Sequence, residues 1–118
     1  LQPRAKTVLE LIDLAQFIYA RRPLAVDAAA AVHLGPETRP LLADLAQLFQ
    51  GLEDWSVGAI DAAARAFAEA RRLKLGKVSQ PLRAALTGRT VSPGIFEVMV
   101  LIGKAETLAR LSDQVRAG

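Results

Sequence analysis

The chain has 118 residues, of which 52% are apolar and 5% aromatic, with 15 basic and 12 acidic side chains for a net charge of +3. That length suits one domain, or two small packed lobes, around a buried core. Without cysteine, with His33 as the single histidine and with no apolar run near the ~20 residues of a membrane span, the sequence excludes disulfides, thiolate or His-cluster metal sites and a helical membrane anchor.

Alanine and leucine dominate, and β-branched alternation is absent, so the expected fold is all-α with six or seven helices. Val8, Leu11, Ile12, Ala15, Ile18 and Tyr19 recur at spacings of three and four, which predicts a helix over 4–19. Arg21-Arg22-Pro23 ends it, because the residue before a proline disfavours helix. The two arginines complement the negative end of that helix, or touch a phosphate. A short helix follows over 26–33, with Asp27 near its start and Gly35-Pro36 as its breaker. His33 then falls at a helix end, half-buried, with no Ser, Cys or carboxylate nearby to make a catalytic set.

A third helix spans 37–50, its buried stripe made by Leu41, Leu42, Leu45, Leu48 and Phe49, and Gly51 stops it. Leu52-Glu53-Asp54-Trp55 is a connector, and Trp55, flanked by acids, is read as a core anchor rather than a stacking platform. Ser56 caps a fourth helix over 56–73 through Ile60, Ala63, Ala64, Phe67 and Ala68. Lys74-Leu75-Gly76 leads out of it. A short fifth helix is expected over 81–87, with Ser79 or Gln80 as cap, Pro81 in the first turn and Gly88 just past the end. The loop Arg89-Thr90-Val91 reaches Ser92-Pro93, which opens a sixth helix. Its Ile95, Phe96, Val98, Met99, Leu101 and Ile102 are nearly all apolar, so it should be buried. Gly103 ends it, and a last helix covers 104–116 with Leu108 and Leu111 inward.

Between Ala70 and Phe96 there is no acidic residue, whereas Arg71, Arg72, Lys74, Lys77, Arg83 and Arg89 all fall there; elsewhere acids outnumber bases. A local basic run punctuated by Gly and Pro suits phosphate or nucleic acid, although the same charge also fits a merely solvated face. No P-loop, Gly-rich dinucleotide turn or cluster of metal ligands appears, and the acids are scattered. The chemistry on offer is binding.

The string Lys77-Val78-Ser79-Gln80-Pro81-Leu82-Arg83-Ala84-Ala85-Leu86-Thr87-Gly88-Arg89, followed by Ser92-Pro93-Gly94-Ile95-Phe96 and Gly103-Lys104, resembles the C-terminal anticodon-binding region of bacterial glutamyl-tRNA synthetases. Pro3-Arg4-Ala5-Lys6-Thr7-Val8-Leu9-Glu10 is similar, more weakly, to the start of that family's helical cage. The resemblance implies lobes at 1–52 and 53–118, the second carrying the recognition motif. It also implies a cytoplasmic, monomeric parent enzyme that attaches glutamate to tRNA-Glu with ATP and Mg²⁺ in a separate Rossmann-type domain. The HIGH-type and KMSKS-type signatures of that domain are missing from these residues, and Lys74-Leu75-Gly76-Lys77 lacks the Met-Ser centre of the latter. A chain opening at Leu1 suggests a piece of a longer one, without catalysis or cofactor of its own. Glutaminyl-tRNA synthetases, by contrast, read their anticodon with β-barrels, and no barrel strand set is visible here.

An anticodon is single-stranded, so reading it takes cations for the backbone, planar donors for base edges and apolar surface for stacking. The guanidinium of Arg83 can donate two parallel bonds to a base edge or phosphate. At the Ser92-Pro93-Gly94 turn, helix N–H groups can meet oxygen acceptors, and Gly94 permits close approach. The resemblance places anticodon contacts on Arg83, Ser92, Pro93 and Ile95, with Arg4 for the third base and Lys6 as its substitute. The family often has Thr in place of Ser92 and Leu in place of Ile95, changes that keep the chemistry. Arg71, Arg72, Lys74, Lys77 and Arg89 are the expected phosphate contacts, and the implied partner is tRNA-Glu with anticodon YUC. A helical protein-interaction module and a small DNA-binding domain are the competing readings, the latter without a helix-turn-helix spacing.

Overall fold

Capping side chains and breakers set where the helices begin and end. The computed structural model describes residue 22 and residues 24–90 and 94–116. The predicted helix over 4–19, with Arg4 and Lys6, and the positions of Ser92 and Pro93 lie outside the described residues. Six α-helices and one 3₁₀ turn, without a strand, make up the described residues. Helix α1 (Ala28–Ala31) starts where the Asp27 Oδ1 accepts the Ala30 N–H at 2.7 Å. It runs on into the 3₁₀ turn Val32–Leu34, which carries a half-buried His33. Helix α2 (Arg39–Gln50) begins two residues later than expected and ends on Gly51. Helix α3 (Val57–Ala70) is capped by Ser56, whose Oγ accepts the Ala59 N–H at 3.2 Å.

Two further boundaries differ from the sequence expectation. Helix α3 stops at Ala70, short of residue 73, because Arg72 turns left-handed at φ 57°. Its N–H donates to the Glu69 carbonyl at 3.0 Å, and that of Leu73 to the Ala68 carbonyl at 2.8 Å. This is the double-bonded helix terminator that glycine usually makes. Helix α4 (Leu75–Thr87) starts six residues before Pro81, with Lys74 as its N-cap residue, so neither Ser79 nor Gln80 caps it. Pro81 cannot donate to the Lys77 carbonyl, a defect worth ~3 kcal/mol in a helix interior. Burial of Val78, Pro81, Leu82, Ala85 and Leu86 along α4 offsets it.

Helix α5 (Ile95–Ile102) follows the N-cap residue Gly94, and helix α6 (Lys104–Arg116) closes the described part. Ile95, Val98 and Met99 are buried, but Leu101 is 51% exposed, so α5 is not covered on every side. Buried side chains from both sides of residue 52 form one cluster, from Leu42, Leu45 and Phe49 through Ile60, Leu82 and Leu86 to Met99 and Leu111. The broadest helix–helix contact is α2 against α6. Trp55 acts as an anchor here: its ring meets Phe49 edge-on at 6.1 Å, and its Nε1 donates to the Met99 carbonyl at 2.9 Å. Lys104 ties the start of α6 to the connector by donating from Nζ to the Leu52 carbonyl at 2.8 Å.

Candidate nucleic-acid interface

The end of α4 is unusually well fastened. The Thr87 hydroxyl, buried, donates to the Arg83 carbonyl at 2.8 Å and accepts the Arg89 N–H at 3.1 Å. The main chains of Arg83 and Arg89 are thus held through one side chain. Gly88 takes φ 74° and donates to the Ala84 carbonyl at 2.9 Å, while its own carbonyl accepts the Asp27 N–H at 3.0 Å. From α6, the buried Arg110 donates from Nη1 to the Leu86 carbonyl at 2.8 Å. Carbonyls at a helix end lack intrahelical partners, and here those of Leu86 and Gly88 are met by donors from other segments. Arg89 is exposed and Arg83 half-buried at this end.

The cations at the other end of α4 divide into two kinds. The Nη2 of Arg71 lies 2.5 Å from Asp44 Oδ2, and its guanidinium carbon sits 4.4 Å from the Phe67 ring centre. One carboxylate and one aromatic face therefore engage it, and it fastens the exit of α3 to α2. Arg72, Lys74 and Lys77 are exposed. Lys74 and Lys77 stand at the positive end of the α4 dipole, which raises the local potential beyond what side-chain charge alone would give. Both border an open cleft of about 480 Å³, together with His33, Glu37, Gln80 and Pro81. Gly76, Gln80, Arg83 and Thr87 follow one another at helical spacings of four, three and four, so the cleft and Arg83 share a stripe of α4.

The remaining expected contacts are placed less uniformly. Gly94 is exposed and takes the Val98 N–H on its carbonyl at 3.0 Å, with no side chain capping the helix. The side chain of Ile95, expected to offer an apolar contact, is 3% exposed and belongs to the core cluster. Sequence reasoning missed Thr87, Asp27 and Arg110 as parts of this region. Asp27 was visible only as a helix start. Arg110 reads as half of a surface pair with Glu106 four residues earlier, yet its helical phase puts it beside the buried Thr107 and Leu111. Among the described residues no group of three or more His, Cys, Asp or Glu side chains could hold a metal ion.

Comparison with known proteins bears on this region directly. The chain is 59% identical over 117 residues to a glutamate–tRNA ligase of Bradyrhizobium sp. (strain ORS 278), covering 99% of this chain and 24% of that protein. It is 56% identical over 117 residues to glutamate–tRNA ligase 2 of Rhodospirillum centenum, covering 99% of this chain and 25% of that protein. The chain thus spans about a quarter of the length of these curated relatives. The crystal structure of a glutamate tRNA ligase from Elizabethkingia meningosepticum, in complex with its amino acid, superposes with a TM-score of 0.77 at 31% identity, over 86% of this chain and 20% of that one. A family model described as an anticodon binding domain matches residues 1–115, and by that match the chain belongs to the anticodon binding domain family.

Proposed function

We propose that this chain is the anticodon-binding part of a glutamate–tRNA ligase and takes the anticodon loop of tRNA-Glu. The family match over residues 1–115 carries this reading. The acid-free basic window, spread over both ends of α4, supports it. The whole protein, a cytoplasmic monomer, attaches glutamate to tRNA-Glu with ATP and Mg²⁺ bound outside these residues. The lobes 1–52 and 53–118 contribute recognition, and α4 is its spine. Arg83 donates to a base edge from the fastened end of the helix. Ser92, Pro93 and Gly94 are further anticodon contacts, and the main-chain N–H of Ile95 at the start of α5 adds a donor. Arg4 meets the third base. Arg72, Lys74, Lys77 and Arg89 hold phosphates, and Arg71 does so only in exchange for Asp44.

The test is a titration of the 118-residue chain with a tRNA-Glu anticodon stem-loop, a stem-loop of altered anticodon and duplex DNA. The matched loop should bind tightest. Equal binding of all three would show a mere basic face. Lys77→Ala should weaken both loops alike and flatten the salt dependence by about one counterion. Arg83→Ala should cost roughly 1–3 kcal/mol for the matched loop and much less for the altered one.

A further inference from the structure

Arg110 is the largest fully buried side chain among the described residues, with its side chain 0% exposed. Its Nε donates to Glu106 Oε2 at 2.8 Å, one turn back on α6, and its Nη1 crosses to the Leu86 carbonyl of α4 at 2.8 Å. Glu106 is shared, lying 3.9 Å from the Nε of Arg22. Arg22 in turn donates from Nη1 to both oxygens of Asp113, at 3.1 and 3.2 Å. Arg116 Nη2 lies 3.7 Å from Asp113 Oδ1, so three guanidiniums and two carboxylates form one network, and of the three only Arg110 is sunk beneath it.

Burying a guanidinium is costly, and an apolar side chain of similar volume often does as well or better for stability. A methionine at 110 would fill this space. What it cannot do is donate to the Leu86 carbonyl, one residue before Thr87, the residue that holds the main chains of Arg83 and Arg89. The charge is therefore placed where it fixes a direction rather than where it adds packing.

We propose that Arg110 is a positioning residue for anticodon readout: through the Leu86 carbonyl it holds the end of α4 in the orientation from which Arg83 and Arg89 meet RNA. This inference rests on the anticodon reading above. It makes Arg110 a determinant of discrimination between loops, without contact to RNA.

The experiment measures binding of matched and altered anticodon stem-loops by the 118-residue chain, as wild type, R110M and E106Q, each at two salt concentrations. In R110M the ratio of matched to altered affinity should fall by roughly tenfold, within the range of a lost base contact. The salt slope should fall by no more than the single phosphate contact of Arg89, because those of Arg72, Lys74 and Lys77 remain. General loosening of the fold would lower binding of both loops together and reduce the slope by more than one contact. A folded R110M with the wild-type ratio overturns the proposal. If R110M does not melt cooperatively, E106Q decides. It weakens the Nε anchor from a partly exposed position, and its ratio should fall in the same direction; an unchanged ratio overturns the proposal equally. Wild type that binds both loops alike would instead defeat the anticodon reading itself.

Discussion

Gly88 shows how much a single position can be asked to do. Its φ of 74° lies in the left-handed region, and a Cβ built there would come 2.2 Å from the Ala25 carbonyl oxygen. That oxygen belongs to a backbone segment held in place, since the Asp27 N–H two residues on is bonded to the Gly88 carbonyl. Neither side can give. Gly88→Ala should therefore cost more than the ~1–2 kcal/mol of a left-handed L-residue alone. Thermal unfolding should register this as a loss of several degrees or more in Tm, and an unchanged melt would contradict the geometry. The role of Gly88 as a helix end was legible in the sequence, since glycine after a helical run is a common terminator. Its contact with Ala25 was not, because nothing local links residues 25 and 88. Arg110 was hidden for a related reason: an (i, i+4) Glu-Arg pair reads as a solvated face unless the neighbouring helix is known.

At the level of elements, the exit of α3 and the start of α4 carry four of the six basic side chains of the acid-free window, and both elements break a local rule. Arg72 occupies a left-handed position that glycine fills without strain. The side chain is exposed and belongs to the acid-free window. Arg72→Gly should raise stability by about 0.5–1 kcal/mol, the left-handed cost less the extra entropy of an unfolded glycine. The same variant should bind the stem-loop more weakly, with a shallower salt dependence. Chemical denaturation and a binding titration on one preparation check both halves. A variant that loses stability would mean that the Arg72 side chain supports the fold by packing. Helix α4 breaks the other rule with Pro81 in its interior. A proline after Ser79-Gln80 has the appearance of a first helical turn, and only the tertiary burial of Val78 on the preceding turn, along with Leu82, makes the longer helix worth its defect.

For the whole molecule, one core decides whether any of these surfaces exist. Phe49 is fully buried, and with Trp55 it joins α2 to the connector and to the end of α5. Phe49→Ala should cost about 3–5 kcal/mol. That is a large part of the ~5–15 kcal/mol available to a small domain. The circular-dichroism spectrum should remain helical at low temperature but melt far earlier. Binding of both stem-loops should vanish at the same temperature as the helical signal. Binding that outlasts the melt would place recognition in a segment that does not need this core. A strand-dominated spectrum of the parent chain would contradict the fold outright.

The sequence by itself determined the all-α class, the order of the described helices, the cap at Ser56, the stops at Gly51, Gly88 and Gly103, and the confinement of net positive charge to residues 71–89. These follow from propensity, periodicity and capping, which act over a few residues and are written in consecutive side chains. Tertiary structure alone decided that α4 runs through Pro81, that Arg71 is engaged by Asp44, that Ile95 faces the core, and that Arg110 reaches a carbonyl of another helix. Each of those depends on groups far apart in the chain. Except in the exposed Arg71–Asp44 pair, their energy comes from excluding water around both partners at once, and no stretch of sequence holds both.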